Sequence, residues 1–286
     1  MNLKQLEYFI VVAQERQITS AAKRLYIAQP PLSYQLKQLE KELHTKLFKR
    51  TAYGIELTTE GEAFKKYAEK MITLSKEMKA EILHSDNDHS GVIRLGLISS
   101  AGNLIPNKAF SQLTRFYPEI KFELFEGNTF SIIEKLDNDL IDVAIVRTPF
   151  NMRGLKNKIL NTDEMVAVFD SESFDFKNSS IKIQDLANKP LILYRRFEAL
   201  FNESFSHQGM FPFYAVKCDD ARTAILWADR GMGIALVPES IAKTYSTKSI
   251  QAIDHLSWSS HIELVWKKDK KPKPVVQRLI DSLSDF

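Results

Sequence analysis

The sequence has little cysteine and no long run of apolar residues. The single cysteine, Cys218, excludes an internal disulfide framework and any metal or iron–sulfur site that needs several cysteines. No apolar run reaches the ~18–20 residues of a membrane-spanning helix. The N-terminus is apolar only in a spaced pattern, without the continuous core of a secretory signal. We therefore expect a protein of the cytoplasm with no membrane partner.

The composition is that of an ordinary globular protein, but the charge is unevenly distributed. The residues are 44% hydrophobic and 26% charged. The length of 286 residues predicts about two domains. Residues 1–58 carry six lysines and three arginines against five acidic residues, a net charge of +4. Since the whole chain carries +3, the remainder carries −1. A basic head suggests a polyanionic partner, although a chance cluster of surface lysines explains the charge equally well.

The first 43 residues have the hydrophobic spacing of three short helices. Apolar residues three and four apart mark the first helix. Thr19 is a candidate cap for a second helix over 20–25, and residues 26–28 form a short turn. Pro30 and Pro31 suit the first turn of a third helix, where their missing N–H groups have no partner to lose.

The third helix has one leucine face and one polar face. The leucines are spaced four, three and four apart, at Leu32, Leu36, Leu39 and Leu43. The polar face carries glutamine, hydroxyl and lysine side chains. Glutamine pairs with adenine, hydroxyls suit either base edge, and proline contacts a thymine methyl group. This pattern is typical of a DNA recognition helix, and an ordinary amphipathic helix with a solvated face is the alternative.

The segment after Leu43 predicts a β-hairpin wing. Leu47 with Phe48, and residues 55–57, have the pattern of two short strands, and Tyr53 with Gly54 supplies the turn. The hairpin carries basic and hydroxyl side chains that suit phosphate and contribute salt-dependent affinity. The candidate DNA contacts of the head and wing are Thr19, Gln29, Pro30, Ser33, Tyr34, Lys37, Lys49, Arg50 and Thr51.

About sixty residues of the head resemble the N-terminal signature of the LysR-type transcriptional regulators. Three positions depart from that signature. His44 stands where the family commonly has glycine, and Pro31 and Tyr34 replace a small residue and an arginine. The resemblance rests on Ala21, Ala22, Leu25, Gln29, Pro30, Leu32, Ser33, Leu36, Leu39, Glu40, Leu43, Leu47, Phe48, Arg50, Leu57, Thr58 and Gly61. It implies a winged helix-turn-helix that binds double-stranded DNA.

Residues 59–83 predict one long helix. Thr58 or Thr59 caps it, Glu62 lies at capping-box distance from Thr59, and about 25 residues give a rod of roughly 37 Å. A narrow apolar seam favours a partner helix over packing on the chain's own domain. The seam residues are Phe64, Tyr67, Met71, Leu74, Met78 and Ile82. The resemblance likewise implies a homodimer formed through the linker helix, which is often doubled to a homotetramer. RNA polymerase is a further candidate partner.

Residues 84–91 contain two histidines and two aspartates within a polar stretch. We interpret the stretch as a linker rather than a metal site, because no other ligand cluster lies nearby. We expect no metal and no cofactor. The predicted organisation is a DNA-binding domain over 1–58, a linker and dimerisation helix over 59–90, and an effector domain over 91–286.

The body alternates strands and helices, which predicts an open α/β sheet with parallel pairing. Predicted strands lie at 92–97, 122–125, 143–146, 165–169, 191–193, 213–216 and 261–266, and predicted helices at 104–116, 129–136, 221–230 and 274–286. The family's effector domain is similar to the periplasmic binding proteins, with two α/β lobes around a cleft. On that resemblance lobe I takes 91–161 and 267–286, and lobe II takes 162–266.

Polar residues at strand ends mark a candidate effector site, since ligands of open α/β sheets bind there. Ser99, Ser100 and Thr129 each open a predicted helix whose N-terminus favours an anion. Arg147 offers a planar fork for a carboxylate, and Arg195 and Arg196 follow a strand of the other lobe. Each has a plain alternative, namely a helix cap, a surface ion pair or a solvated loop. The prediction is a small anionic, carboxylate-like effector between the lobes.

No motif predicts an enzyme. The sequence has no nucleophile elbow, Walker A loop or zinc-protease motif. Cys218 with His207 or His255, and His261 with Glu263, lie outside recognisable catalytic patterns. We therefore expect a ligand-controlled DNA-binding transcriptional regulator. The alternatives are a DNA-binding protein whose body only forms oligomers, and a small-molecule-binding or enzymatic body with an incidental basic head.

Overall fold

The structure, a computed structural model, describes residues 1–51, 54–83, 90–101, 104–255 and 257–283, with only the backbone at 76, 77 and 79–83. It divides into two compact units. The first comprises Met1–Asp88 and Asp137–Leu140, and the second comprises His89–Leu136 and Ile141–Phe286. In the described part of the chain, no helix is both long and apolar enough to span a bilayer.

The first unit contains the predicted helix-turn-helix, wing and long helix. Its elements are α1 (Leu3–Glu15), α2 (Ile18–Arg24), α3 (Gln29–Glu42), β1 (Phe48–Thr51), β2 (Gly54–Leu57) and α4 (Thr59–Leu83). The predicted Thr19 cap is wrong, because α2 begins at Ile18, two residues before the predicted start, and Gln17 precedes it without a side-chain cap. The wing turn at Ala52 and Tyr53 lies outside the described residues.

The head folds because each short helix buries one apolar face in a shared core. Leu32, Leu36 and Leu39 of α3 are buried against Leu6 and Phe9 of α1. The helix has proline in its first turn and ends at Glu42, with Leu43 as its C-cap. His44 follows with a φ of +52°. Glycine adopts this left-handed conformation with the least strain.

Two glycines allow the wing to lie close to the helices. A Cβ atom at Gly61, in the first turn of α4, would lie 2.1 Å from the carbonyl oxygen of Leu47. One at Gly54 would lie 2.5 Å from the carbonyl oxygen of Arg16, which accepts a hydrogen bond from the amide of Ile55 at 2.8 Å. The wing therefore depends on backbone contacts that a side chain at either position would block.

The long helix α4 has two apolar stripes instead of the single predicted seam. Phe64, Ala68 and Ile72 pack into the head core, and the ring of Phe64 lies 4.8 Å from that of Phe9 in an edge-to-face contact. Phe64 is therefore not part of the exposed seam. That seam consists of Tyr67, Met71, Leu74 and Met78, all exposed. The side chain of Ile82 lies outside the described residues.

Thr58 caps α4, which is one of the two caps that the sequence predicted. Its hydroxyl oxygen accepts a hydrogen bond from the amide of Gly61 at 2.9 Å, and its carbonyl oxygen accepts from the amide of Glu62. A capping box joins the cap residue to the residue three positions later, and with Thr58 as the cap that residue is Gly61. The predicted capping box between Thr59 and Glu62 is therefore wrong. The predicted helix bounds are confirmed.

The second unit is a two-lobed α/β body. Its elements are β3 (Gly91–Ile98), α5 (Lys108–Phe116), β4 (Ile120–Gly127), α6 (Thr129–Asp137), β5 (Val143–Arg147), β6 (Leu155–Phe169), β7 (Ser180–Ile181), β8 (Pro190–Tyr194), α7 (Glu198–His207), β9 (Phe213–Cys218), α8 (Ala221–Ala228), β10 (Ile234–Pro238), α9 (Glu239–Tyr245), β11 (Ser249–Ile253), β12 (Ser259–Lys267) and α10 (Pro274–Ser282). The helices α7 and α9 were not predicted from the sequence.

Two sheets share the long strand β6. The first has the order β4-β3-β5-β12-β6 and the second the order β6-β10-β8-β9, with β11 also paired to β6 and β7. The predicted parallel pairing is confirmed for β3 with β4 and β5. However, β12 is antiparallel to both of its neighbours in the first sheet, and in the second sheet β10 is antiparallel to β6 and parallel to β8, so each sheet is mixed. Separate hydrophobic cores fill the two lobes.

Two predicted boundaries in the body need correction. Residues 262–265 of β12 pair with β5 in the first sheet, so the chain returns to lobe I before residue 267. Ser99 and Ser100 belong to a single 3₁₀ turn rather than to the start of an α-helix. The helix α5 begins at Lys108, and Asn107 caps it through the amides of Ala109 and Phe110. The helix-dipole argument for an anion at Ser99 is therefore wrong.

Candidate DNA-binding surface and interlobe site

The polar face of α3 lies on the surface of the head. Gln29, Pro30, Tyr34 and Lys37 are exposed and Ser33 is half-buried, whereas the leucines on the other face are buried. The amide of Gln29 donates to the hydroxyl of Ser33 at 2.6 Å. This bond orders two of the predicted base-reading side chains one helical turn apart. Five predicted contacts thus share one outward surface.

The other predicted DNA contacts lie on α2 and the wing. Thr19 is exposed in the first turn of α2, and Arg50 is exposed on β1. Lys49 pairs with Glu56 across the hairpin at 3.4 Å, and the hydroxyl of Thr51 donates to the carbonyl of Gly54 at 3.4 Å. An exposed ion pair of this kind is weak, so it leaves Lys49 able to contact a phosphate.

Tyr26 is an exposed residue of the head that sequence reasoning left out of the site. It is 95% exposed in the turn between α2 and α3, and its φ of +54° is unusual for an aromatic residue. The turn therefore presents a large side chain beside the first turn of α3. The only sequence signal was its place in the turn of a helix-turn-helix.

Glu40 connects α3 to the wing. Its carboxylate accepts hydrogen bonds from the amides of Leu47 and Phe48 at 2.9 and 3.2 Å, and from Lys46 at 2.8 Å. Burial alone would raise the pKa of Glu40, but Lys46 and the two amides outweigh it and hold the pKa below its ordinary value of 4.5. The charged carboxylate thus sets the position of β1 relative to α3.

In the body, Arg147 is completely buried where β5 ends. Its guanidinium donates to Asp163 at 2.9 Å, to the hydroxyl of Ser260 at 2.8 Å, and to the carbonyl and hydroxyl oxygens of Ser100 at 3.1 and 3.4 Å. Burial lowers the pKa of Arg147, and the carboxylate of Asp163 opposes that effect. The guanidinium that we predicted would bind an effector carboxylate is thus already hydrogen-bonded to residues of the body.

Asp163 connects the crossing strand β6 to lobe II. The amide of Ser240, at the start of α9, donates to Asp163 Oδ1 at 2.9 Å, and its hydroxyl donates to Oδ2. Because Arg147 lies on a lobe I strand, one carboxylate joins both lobes. Sequence reasoning missed Asp163, Ser240 and Ser260, since none of them lies in a recognisable motif.

Arg196 of lobe II reaches across to lobe I. Its Nη2 donates to the carbonyl oxygens of Arg147 and Pro149, the second at 2.9 Å. Its Nε is buried and has no hydrogen-bond partner among the described residues. Burial lowers the pKa of Arg196, and the charge of Arg147 acts in the same direction, against an opposing effect of Tyr194.

A further contact joins the lobes at Ser99. Its hydroxyl donates to Asp220 at 2.8 Å, and Asp220 also pairs with Arg222 at 2.9 Å. Thr129 is buried, and its hydroxyl donates to the carbonyl of Arg147 at 3.4 Å. The structure thus brings five of the six predicted effector residues into one group with Asp163 and Asp220, the interlobe cluster. These five are Ser99, Ser100, Thr129, Arg147 and Arg196.

Arg195 is the predicted effector residue that lies elsewhere. It is exposed and forms a two-pronged ion pair with Asp219, at 2.6 and 2.7 Å. The Asp219 carboxylate holds the pKa of Arg195 above its ordinary value. Adjacent arginines of the sequence therefore have different surroundings, because the 3₁₀ turn at 195–197 directs them apart.

Two residues weighed for catalysis, Cys218 and His261, are hydrogen-bonded within the fold. The thiol of Cys218 donates to the carbonyl oxygens of Leu193 and Asp220, and burial raises its pKa, which disfavours the reactive thiolate. His261 pairs with Thr162 at 3.0 Å. Within the described residues, no three His, Cys, Asp or Glu side chains gather as a metal site would require.

Comparisons with known proteins cover both units. The helix-turn-helix family described as "bacterial regulatory helix-turn-helix protein, lysR family" matches residues 3–62. The family "LysR substrate binding domain" matches residues 86–286. The transcriptional regulator BsdA of Bacillus subtilis (strain 168) is 30% identical over 290 residues, which cover 98% of this chain and 99% of BsdA.

Other relatives and solved structures agree. The regulator BenM of Acinetobacter baylyi is 30% identical over 259 residues, 88% of this chain and 83% of BenM. The crystal structure of CbnR, a LysR family transcriptional regulator, has a TM-score of 0.79 at 22% identity over 100% of this chain and 99% of CbnR. CbnR bound to its target DNA has a TM-score of 0.60 at 23% identity, again over 100% and 99%.

These relatives are transcriptional regulators and not enzymes. The family matches, taken together, extend over both the head and the body. The chain therefore belongs to the LysR family of DNA-binding transcriptional regulators.

Proposed function

We propose that the protein reads its operator through α3 and the wing and responds to a small anionic effector bound between the two lobes of the body. In this proposal residues 1–58 bind DNA, 59–90 link and dimerise, and 91–286 bind the effector in the cytoplasm. The observation that carries it is the outward face of α3, where Gln29, Tyr34 and Lys37 are exposed beside a buried leucine face.

The DNA part divides into base reading and phosphate contact. Gln29 and Ser33 supply hydrogen bonds to base edges, and Lys37, Lys49 and Arg50 supply charge. Removing a lysine that contacts a phosphate weakens binding to all sequences and lowers the slope of log affinity against log salt by about one. Removing a base contact relaxes specificity at one position instead.

A gel shift on the DNA upstream of the protein's own gene tests this part. Lys37→Ala and Gln29→Ala are compared with Lys4→Ala, which removes an exposed lysine of α1 that is not among the predicted contacts. We expect Lys37→Ala and Gln29→Ala to weaken binding at least about tenfold, and Lys4→Ala to bind like the wild type. Equal binding by all four proteins would contradict the proposed surface.

The exposed seam of α4 supports a homodimer. Tyr67 and Leu74 are 68% and 65% exposed on a 25-residue helix, and a helix–helix contact removes such a stripe from water. Pairing would set two reading heads on one operator, as a pseudo-palindromic site requires. A tetramer would double this arrangement.

The interlobe cluster supports the effector part. An effector that binds two lobe arrangements unequally shifts their populations, and the heads would then change the spacing or bend that they impose on DNA. Thermal unfolding against a panel of small acids and their neutral amides tests the anion, because ligand stabilisation grows with concentration. Stabilisation by neutral compounds alone would refute an anionic effector.

A further inference from the structure

Arg196 is the one cationic side chain of the interlobe cluster whose charge is not matched. Arg147 pairs with Asp163 at 2.9 Å, and Arg222 pairs with Asp220 at 2.9 Å. Arg196 makes no ion pair with a carboxylate of the described residues; it donates to two neutral carbonyl oxygens, and its guanidinium carbon lies 6.0 Å from the centre of the Phe130 ring. A largely buried cation without an anion is costly, so the site is electrostatically prepared for one.

The geometry of the guanidinium sharpens this point. Nε and Nη2 form the edge of an arginine that grips a carboxylate with two parallel hydrogen bonds. Here Nη2 donates to the carbonyls of Arg147 and Pro149, while Nε on the same edge has no partner among the described residues. A carboxylate can take that edge only if Nη2 gives up at least one lobe I carbonyl.

We infer that Arg196 is an exchangeable strap, which holds lobe II to the lobe I carbonyls at 147 and 149 and releases them when an anionic effector takes its Nε–Nη2 edge. This inference rests on the proposed anionic effector and adds how its binding is transmitted. The bonds that Arg196 makes to lobe I join a charged donor to neutral carbonyl oxygens, whereas a carboxylate would bind the Nε–Nη2 edge with two parallel bonds and also neutralise the charge. The effector thus replaces a contact between lobes with a contact to itself.

The exchange links effector binding to lobe geometry without requiring Arg147 to move. The buried pair of Arg147 and Asp163 holds the crossing strand in place, and the strap alone changes partner. A ligand shifts the balance between two conformations whenever it binds one of them more tightly than the other. Arg196 is therefore a positioning residue and also the hydrogen-bond donor that binds the anion.

Hydrogen exchange on the full-length protein tests the strap. Arg196→Ala removes it, Arg196→Lys keeps the charge without the planar edge, and Arg195→Ala is the matched control for the exposed neighbour paired with Asp219. The probe is sodium acetate, with acetamide as the neutral isostere at constant ionic strength. The readout is exchange in residues 144–150, a lobe I segment that none of the variants alters.

We expect ligand-free Arg196→Ala to exchange about tenfold faster at 144–150 than the wild type, as for the loss of a charged hydrogen bond. Acetate, and not acetamide, accelerates this segment in the wild type and in Arg195→Ala, but has no effect in Arg196→Ala or Arg196→Lys. Tryptophan fluorescence confirms that each variant is folded, since all three tryptophans lie in the body.

Three results would overturn the strap. One is unchanged exchange in ligand-free Arg196→Ala, another is an acetate response that survives in that variant, and the third is a wild type that acetate does not affect. Failure of the anionic effector itself is recognised separately, in the thermal unfolding panel, where only neutral compounds would then stabilise the wild type.

Discussion

Arg147 and Asp163 form a fully buried ion pair, with Nη2 2.9 Å from Oδ2 and side-chain exposures of 0% and 3%. The pair joins the end of a lobe I strand to the strand that crosses between lobes. A buried charge that loses its partner is far more costly than the pair itself is worth. The pair thus acts as a fixed point of the body, and this role differs from the effector contact that the sequence suggested for Arg147.

Removing one partner of this pair should destabilise the body strongly. We expect Asp163→Ala or Arg147→Ala to lower the free energy of unfolding by about 3–5 kcal/mol, because each leaves one uncompensated buried charge. The apolar double variant Arg147→Met with Asp163→Leu should recover much of that loss. Urea unfolding followed by tryptophan fluorescence measures it. Single variants within about 1 kcal/mol of the wild type would contradict a buried pair.

A side chain at Gly61 should separate the wing from α4. Gly61→Ala places a methyl group 2.1 Å from the Leu47 carbonyl oxygen, so the backbone must shift. We expect a loss of about 1–3 kcal/mol in head stability, although alanine is the better helix former. Hydrogen exchange of α1 and α3 measures the loss of stability. The control is Glu62→Ala, which changes the exposed neighbouring residue. A stabilised Gly61→Ala head would disprove the close contact.

The Glu40 carboxylate should make head stability depend on acid pH. Its pKa in the folded protein is lowered, so its contribution is present above 4.5 and is lost as the pH falls through the folded value. We expect Glu40→Gln to lose about 1–2 kcal/mol at pH 7, as for charged hydrogen bonds. The difference from the wild type should shrink at pH values below 4.5.

Hydrogen exchange of the head between pH 3 and 7 provides the comparison, with Glu7→Gln as an exposed control. A difference between Glu40→Gln and the wild type that stays constant down to pH 3 would show that the carboxylate is not the group responsible. The wing should also lose its fixed position at neutral pH in Glu40→Gln, because the Leu47 and Phe48 amides lose a charged acceptor.

A charge in the exposed seam of α4 should weaken the proposed dimer. Leu74→Glu puts a carboxylate on a stripe that pairing would bury, and we expect at least about tenfold weaker dimerisation. Ala63→Glu adds the same charge at an exposed position near the start of α4 and should have little effect. Sedimentation equilibrium measures both. Equal weakening by the two variants would place the contact elsewhere.

Several features were predictable because they depend on residues close together in the chain. The leucine spacing in α3, the two prolines at its start and the long seam of α4 encode helices through local periodicity. His44, where the sequence departs from the LysR signature, has a left-handed φ of +52°, a conformation that favours glycine.

Other features depend on residues far apart in the chain. Arg147 meets Ser100, Asp163 and Ser260, which lie 47, 16 and 113 positions away, so no local pattern shows that its charge is already matched. Phe64 and Tyr67 both fit one apolar seam in sequence, and only packing against Phe9 assigns Phe64 to the head core. The different surroundings of Arg195 and Arg196 likewise follow from the lobe contact.

The sequence by itself determined the winged head, the long helix and the alternating α/β body, because periodic burial and turn residues act over a few positions. Only the tertiary structure decided which arginine is paired, which is exposed and which holds two lobes together. The reason is electrostatic. The state of a charged side chain depends on what surrounds it in space, and in this body those surroundings come from strands and helices that the chain order keeps far apart.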